Sequence, residues 1–399
     1  MSTSMRKCNL AMILAVVAGV FALTSTFASA ADELRLGLLV PKSGAGTDWG
    51  RRQEVAAKMA VDEINAKGGV NGARLNLVVM DTASQPDQAV LTTRKLAQDE
   101  EVLAIMGPFF SGECEVAFPQ AVRLMVPIIT ASSGKPGVAE NNRPWAFRNA
   151  LMDLDHLRPG VKKFSSMYKL QGKSVAIVVD MKDAWAKNLG TNLLSKVLSE
   201  VNVKVMNSND LVTFNTGDTD FTAQVTKLKR MKPDGIALAA LYGEAGGLAL
   251  EMKRQGLNVP VFGASGIFAA ALIQRAGDAV EGWVATSAFW PQKPDVKVKQ
   301  FVTDFAAHAS AAKLGVVSPD HFTAAMYSNI YITAKIIQDR KITPKTPLKD
   351  ARLDIRKGWE TLKDYPAVDG STSMTLNGDA VKTPYVLYVK GGQFVAAGQ

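Results

Sequence analysis

The residue types best suited to hold a ligand gather between Val102 and Gly134, where two apolar runs each break into a hydroxyl-rich, glycine-containing turn. Val102-Leu103-Ala104-Ile105-Met106 has the character of a strand buried on both faces, and it stops at Gly107-Pro108. After Phe109-Phe110, Ser111 stands where an N-cap belongs, ahead of a helical segment from about Gly112 to Leu124. Pro127 opens a second short strand, Ile128-Ile129-Thr130, which ends in Ala131-Ser132-Ser133-Gly134. Turns of this kind, at the carboxyl ends of neighbouring parallel strands, aim free N–H groups and positive helix ends at one point. They make a cup for a carboxylate or phosphate. A lone serine in such a place is more often a helix cap; two in tandem point to a ligand.

Other chemistries find little support. Gly44-Ala45-Gly46 follows a strand but lacks the third glycine of a dinucleotide fingerprint, and no Gly-Lys-Ser/Thr follows it to cradle a nucleotide phosphate. Gly263-Ala264-Ser265-Gly266-Ile267 resembles a nucleophile elbow until its fifth position, which is Ile267 and not glycine. The three histidines, His156, His308 and His321, stand at no metal-ligand spacing from one another or from Cys114, so neither a metal nor any other cofactor is expected. A secreted serine hydrolase using Ser265 or Ser111 stays as an alternative, because triad partners can lie far apart in sequence. The main expectation is a binding protein, not an enzyme.

Residues 1–30 read as a secretory signal peptide: Arg6 and Lys7 start it, Leu10 to Leu23 carries no charge, and Ala28-Ser29-Ala30 is a small-residue cleavage site. Cleavage after Ala30 would release a soluble protein into the periplasm, with no membrane-embedded segment. The formal charge is +9, and Arg6 and Lys7 are the only charged residues of the leader, so the processed chain carries +7. That excess is dispersed and nowhere clusters with aromatics, which argues against nucleic acid as a partner. Only Cys114 remains after cleavage, so no internal disulfide can form, and as a thiol it is expected to be a packing residue.

Strands and helices then alternate along the chain, which predicts doubly wound parallel sheets and, at this length, two lobes. Leu34 to Val40 reads as a strand, Pro41 to Gly50 as a loop and Arg51 to Lys67 as a helix closed by Gly68-Gly69. A second alternation starts at Asp153, and two long helical patterns, Val296 to Ala312 and Phe322 to Arg340, precede a β-like tail.

The segment Ala60-Val61-Asp62-Glu63-Ile64-Asn65-Ala66-Lys67-Gly68-Gly69-Val70-Asn71-Gly72 carries a resemblance. With Pro41 to Gly44, Met106 to Gly134, Phe147 to Asn149, Asp180 to Trp185 and Asn377 to Asp379, it resembles the periplasmic leucine/isoleucine/valine-binding proteins of ABC importers. The resemblance implies the type I periplasmic binding protein fold: two α/β lobes of doubly wound parallel sheet, joined by three crossing segments and closing on ligand. On this chain the crossings fall near Ala150 to Asp153, Ser287 to Pro291 and Ala367 to Ser371. The N-terminal lobe is then 31–152 plus 290–368, and the C-terminal lobe 153–289 plus 369–399. It further implies a monomer that delivers a small carboxylate-bearing solute to an inner-membrane permease and its ATPase. A sensory module on the same fold is the alternative.

By the same resemblance the ligand carboxylate meets Ser111 and the Ser132-Ser133-Gly134 turn, while Trp49, Trp185 and Tyr242 supply rings, and Asp153 is an acid at the first crossing that also fits a helix N-cap. Two positions depart from the amino-acid binders. Gly134 replaces a threonine that helps hold the α-ammonium, and Ser265 replaces a glutamate counter-ion. Because a buried ammonium without its acid is costly, and because Trp49, Phe109, Phe110, Trp185, Tyr242 and Phe268 are all expected to wall the cleft, a flat or apolar acid without an α-amine is expected to fit better than leucine. Glu244 is the acid that could restore the amine site if its loop turns inward.

Overall fold

A computed structural model describes residues 33–398; the expected signal peptide and its cleavage site lie outside the described residues. The first lobe begins β1 (Glu33–Val40), α1 (Thr47–Ala66), β2 (Arg74–Asp81), α2 (Pro86–Gln98), β3 (Ile105–Met106), α3 (Ser111–Arg123), β4 (Ile128–Thr130) and β5 (Ala146–Arg148). Its five strands pair in the order β2-β1-β3-β4-β5, every pair parallel. Leu36, Leu38, Met106, Ile129 and Phe147 are fully buried between helices on both faces, as continuous apolar strands require.

The second lobe runs α4 (Asp153–Met167), β6 (Ser174–Asp180), then α5 (Ala184–Asn188), which continues through a π turn at Leu189–Leu193 into α6 (Leu194–Glu200). It goes on through β7 (Lys204–Val205), β8 (Val212–Phe214), α7 (Thr222–Met231), β9 (Gly235–Ala239), α8 (Tyr242–Arg254), β10 (Val261–Phe262), α9 (Ala270–Ala276) and β11 (Val284–Ser287). The chain then returns to the first lobe with α10 (Val296–Ala311), α11 (His321–Asp339) and α12 (Leu348–Glu360). Ile330, Ile337, Ile355 and Trp359 of α11 and α12 share one core with β1. Three short strands follow, β12 (Tyr365–Ala367), β13 (Gly370–Met374) and β14 (Ala380–Val381), before β15 (Tyr385–Lys390) and β16 (Gln393–Ala396) add an antiparallel edge to the second sheet beside β11.

Three expectations shift. The buried run from Val102 is regular strand only at Ile105–Met106, although Leu103 still donates its N–H to Arg35 across the sheet at 2.9 Å. Ser111 is not the cap of α3 but its first helical residue; Phe110 takes the cap position, and Glu113 reaches back to accept the Phe110 N–H at 3.0 Å. The turn after β4 opens no long helix and leads only to a 3-10 turn at Glu140–Asn142.

The third crossing also moves. Residues 369–382, expected with the second lobe, pack on the first, because buried polar contacts from Ser328 and Arg148 fasten them there, with a buried ion pair inside the segment itself. Ser328 donates to Asp369 at 2.6 Å, Lys382 pairs with Asp369 at 2.7 Å, and Arg148 pairs with Asp379 at 2.7 Å. The chain therefore passes to the second sheet between β14 and β15, after Lys382. Arg148 is fully buried and also donates to the carbonyls of Ser133 (3.3 Å) and Lys135 (2.6 Å), so it joins the tail to the turn after β4. Arg148→Ala would strand the buried Asp379 carboxylate and two carbonyls, and is expected to cost about 3 to 5 kcal/mol, measured by urea unfolding.

Candidate functional site

The carboxyl ends of the parallel strands of both sheets meet at one cleft, the usual place for a ligand in open α/β sheets. The cavity there is small and partly open, about 30 Å³ for the centres of water-sized spheres, room for a water molecule or two. From the first lobe it is lined by Phe109, Phe110, Ser111, Ser132, Ser133 and Phe322, and from the second by Asp183, Trp185, Leu241, Ser265 and Gly266. A larger groove of about 740 Å³ lies behind the hinge among Glu63, Phe301, Tyr327 and Tyr331, away from the strand ends, and its Tyr327 and Tyr331 hydroxyls are both bonded to Glu63.

The expected hydroxyl cup is assembled. Ser111 Oγ and Ser133 Oγ lie 2.8 Å apart in a hydrogen bond, both buried, at the first turn of α3. The first-turn N–H groups of that helix have no intrahelical acceptor. Ser132 Oγ accepts from the side chain of Gln53 at 2.9 Å. The N–H groups of Ser132 and Ser133, expected to be free, instead point at the Thr130 hydroxyl at 3.2 and 3.4 Å. Side-chain hydroxyls and the α3 amides are therefore the donors that remain. Arg52, a fully buried cation on the helix that carries Gln53, is spoken for: burial alone would lower its pKa, but Asp320 (2.8 Å) and Asp48 (2.9 Å) hold it raised.

The other expected residues take distinct places. Trp185 is wedged between two glycines, and a Cβ built on Gly266 would lie 2.7 Å from its ring. Its Nε1–H donates to Asp153 Oδ1 at 2.9 Å. Asp153 is fully buried at the first turn of α4, one residue inside the cap position held by Met152, and its Oδ2 has no partner. Gly134 completes this contact, since a Cβ there would come within 2.4 Å of Asp153 Oδ1. Gly134 and Asp153 thus stand behind the indole and do not line the cavity. Trp49 and Tyr242 form a lid at its side: their rings meet across the lobes at 4.5 Å, and the Tyr242 hydroxyl donates to Asp48 at 2.6 Å. Burial, and then that bond to a carboxylate, push the Tyr242 pKa up.

Two expected wall groups are elsewhere. Phe268 packs against Phe394 at 4.9 Å in the second-lobe core, outside the cavity, and Glu244 accepts the Gly217 N–H at 3.0 Å. Sequence reasoning missed Gln53, Phe322 and Asp183. Asp183 caps α5 by accepting the Ala186 N–H at 2.7 Å, and it is the acid that lines the cavity. Burial pushes its carboxyl up to about 6. The spacing Asp183-Ala184-Trp185 after a strand was a legible cap signal, but nothing in it says that the carboxylate faces the cleft.

No serine–histidine pair forms among the described residues. His156 Nδ1 bonds the Thr286 hydroxyl at 2.7 Å and His308 Nδ1 the Asp304 carbonyl at 2.8 Å. His321 is buried without a partner on Nδ1, and burial pushes it down to about 4. Burial pushes the Cys114 thiol up, out of the reactive range. Among the described residues no group of three His, Cys, Asp or Glu is arranged to hold a metal, and no helix is long and apolar enough to cross a membrane. The close approach at Gly134 generates a prediction: Gly134→Thr should cost roughly 1 to 3 kcal/mol by overpacking and shift tryptophan emission as the Asp153–Trp185 bond breaks, read by fluorescence-monitored unfolding.

Comparison with known proteins agrees with this architecture. The family model for periplasmic binding proteins matches residues 33–393. The leucine-, isoleucine-, valine-, threonine- and alanine-binding protein of Pseudomonas aeruginosa is 29% identical over 316 residues, covering 79% of this chain and 80% of its own. A branched-chain amino acid transporter substrate binding protein of Streptococcus pneumoniae, solved with isoleucine, is 25% identical with a TM-score of 0.78, over 91% of this chain and 98% of its own. A solute binding protein of an ABC transporter from Rhodopseudomonas palustris, solved with 3,4-dihydroxybenzoic acid, shares the fold at 19% identity and a TM-score of 0.78, over 91% of this chain and 95% of its own. With the family model spanning nearly every described residue and both lobes meeting at a hydroxyl-lined cleft, the chain belongs to the periplasmic binding protein family, as a solute-binding protein of the branched-chain amino-acid ABC transporter type.

Proposed function

We propose that this protein captures a small solute bearing a carboxylate and an apolar body, closes its lobes over it in the periplasm, and delivers it as a monomer to an inner-membrane permease. The observation that carries the reading is the Ser111–Ser133 hydroxyl pair, buried at the first turn of α3 in a cavity walled by rings from both lobes. Of the two protons on a hydroxyl pair, one is spent within the pair and the other remains to be donated. An entering carboxylate gains that donor, the α3 amides and the positive end of the helix. Phe109, Phe110, Phe322, Trp185 and Leu241 supply the apolar surface for the rest of the solute.

Asp183 bears on which solute that is. The acid stands close to the cup, because Gly112 of α3 approaches Ala184 of α5 so closely that a Cβ on the glycine would touch the Ala184 Cβ at 3.6 Å. An ionised Asp183 repels a bare carboxylate held beside it and attracts an ammonium one carbon away from that carboxylate. This supports an apolar amino acid over the flat acid without an amine that the departures at Gly134 and Ser265 favoured.

Two measurements follow, both by calorimetry on the cleaved chain with the solute that a thermal-shift screen of amino acids, aromatic acids and aliphatic acids identifies. Converting the solute carboxylate to its amide should abolish binding, and Ser111→Ala should weaken it by roughly 1 to 3 kcal/mol; equal affinity for acid and amide would remove the cup from the account. For phenylalanine against 3-phenylpropanoate, the amino acid should bind more tightly, and Asp183→Asn, which keeps a good helix cap, should narrow that gap. A tighter complex with 3-phenylpropanoate would return the reading to the amine-free acid.

A further inference from the structure

The groove of about 740 Å³ on the first lobe takes no part in solute capture, and its volume falls in the range of roughly 300 to 1,000 Å³ that small-ligand sites occupy. It lies between α1, α10, α11 and β12. Glu63 reaches it from the last turn of α1, Phe301 and Asp304 from α10, Tyr327 and Tyr331 from α11, and Tyr365 from the start of β12. The same α1 carries Gln53 to Ser132 in the cleft, ten positions before Glu63, so cup and groove stand about 15 Å apart along that helix. The rings of the groove are contiguous: the Tyr327 centroid is 4.8 Å from that of Phe301 and 4.9 Å from that of Tyr331.

Both α11 phenols are turned to Glu63, Tyr327 donating at 2.7 Å and Tyr331 at 2.5 Å. With those hydrogens spent, the two tyrosines offer a ligand their ring surface. Both bonds fall on Oε2, and Glu63 Oε1 receives neither. The second acid, Asp304, is held by the Gln300 amide, which donates to each of its oxygens at 2.9 Å. Phenols and an amide are neutral donors, so among the described residues two half-buried carboxylates share the groove and neither is paired with a cation. Lys67 and Lys297 reach the same groove but are exposed at its mouth, where their stems cover apolar wall and their ammonium heads stay in water. His308 turns Nδ1 to the Asp304 carbonyl at 2.8 Å. Val296, the first residue of α10, is 84% exposed and gives the groove an apolar edge open to solvent.

We propose that this groove is a second binding site, for a small organic cation of the alkylated ammonium class. Ring faces attract a cation through their quadrupoles, and an alkylated ammonium asks for ring contact and a nearby negative charge more than for a hydrogen-bond acceptor. Tyr327, Tyr331, Tyr365 and Phe301 supply the contact, and Glu63 supplies the charge. The same two carboxylates repel an anion, which sets the groove apart in charge preference from the hydroxyl cup. None of these residues lines the cleft, so the site does not rest on carboxylate capture at Ser111.

Choline and its neutral isostere 3,3-dimethylbutan-1-ol differ in one atom, nitrogen against carbon, and serve as probes for calorimetry on the cleaved chain. Choline should bind about tenfold more tightly than the alcohol. Glu63→Gln keeps an oxygen that accepts from both phenols, and it should remove most of that preference. Tyr365→Leu, on the half-buried edge at β12, should weaken choline severalfold and the alcohol much less. Melting curves of both variants are run alongside, so that lost folding is not read as lost affinity, and either variant that folds decides. Equal affinity for the two probes, a preference that survives both substitutions, or no binding of choline at millimolar concentration overturns the proposal. Choline binding that is lost in Asp183→Asn but kept in Glu63→Gln places the cation in the solute cleft and overturns it as well. No arm depends on Ser111, so a failure of carboxylate capture and a failure of the cation site are read separately.

Discussion

The cleft is organised around one hydrogen bond, from the Trp185 indole to the fully buried carboxylate of Asp153. A buried carboxylate needs donors, and Asp153 has the indole N–H at 2.9 Å with His156 Nε2 at 3.4 Å. That requirement sets the position of the indole, the indole requires glycine at 266, and the carboxylate requires glycine at 134. Gly134 belongs to the first lobe, while Asp153, Trp185 and Gly266 belong to the second, so one interaction sets how closely the lobes approach. Trp49 and Tyr242, with the Tyr242 hydroxyl on Asp48, make a second contact between the lobes.

Under the proposed carboxylate capture, an anion in the cleft would be met by dipoles and not by a free cation. Arg52 is fully buried, but Asp48 and Asp320 neutralise it, and its role is to join α1 to the start of α11. Had Arg52 been free, an entering carboxylate would have formed a buried ion pair, where removing two charges from water costs several kcal/mol against a strong attraction. Hydroxyls and first-turn amides give smaller terms on both sides of that balance. Under the proposed capture, such a site would let a solute be held by closure and let go by opening, with the contacts of Tyr242 with Asp48 and Trp49 joining the lobes beside it.

Much of this was legible in the chain before its fold. The strand–helix alternation is a local, periodic signal, and the hydroxyl turns at Ser111 and Ser132-Ser133 end strands whose burial is written in their composition. What was not legible depends on side-chain direction and on contacts distant in sequence. Asp183 looks like any helix cap, and only the approach of α5 to α3 turns it towards the cavity. Gln53 lies 79 positions from the Ser132 hydroxyl it holds. The third crossing was misplaced because nothing local to Asp369 and Asp379 shows that Ser328 and Arg148, distant in sequence, hold them against the first lobe. The one-residue shift at Ser111 has a similar cause: Glu113 reaches back to the Phe110 amide and so fixes the helix start one position early.

The departures at Gly134 and Ser265 can then be understood together instead of as two losses from an amine site. A threonine at 134 would bring its branched Cβ into Asp153 and the Trp185 Nε1, 2.4 and 3.1 Å from the ideal Cβ. A glutamate at 265 would enter a cavity that Trp185 and Leu241 already reduce to about 30 Å³. The large ring at 185, the absent side chain at 134 and the short hydroxyl at 265 are therefore one steric solution, and changing any one alone leaves either a clash or a void. Any acid that serves an amine in this cleft must come from outside that set. It must also leave the ring in place, and Asp183, anchored two residues before the ring on the same helix start, meets both conditions.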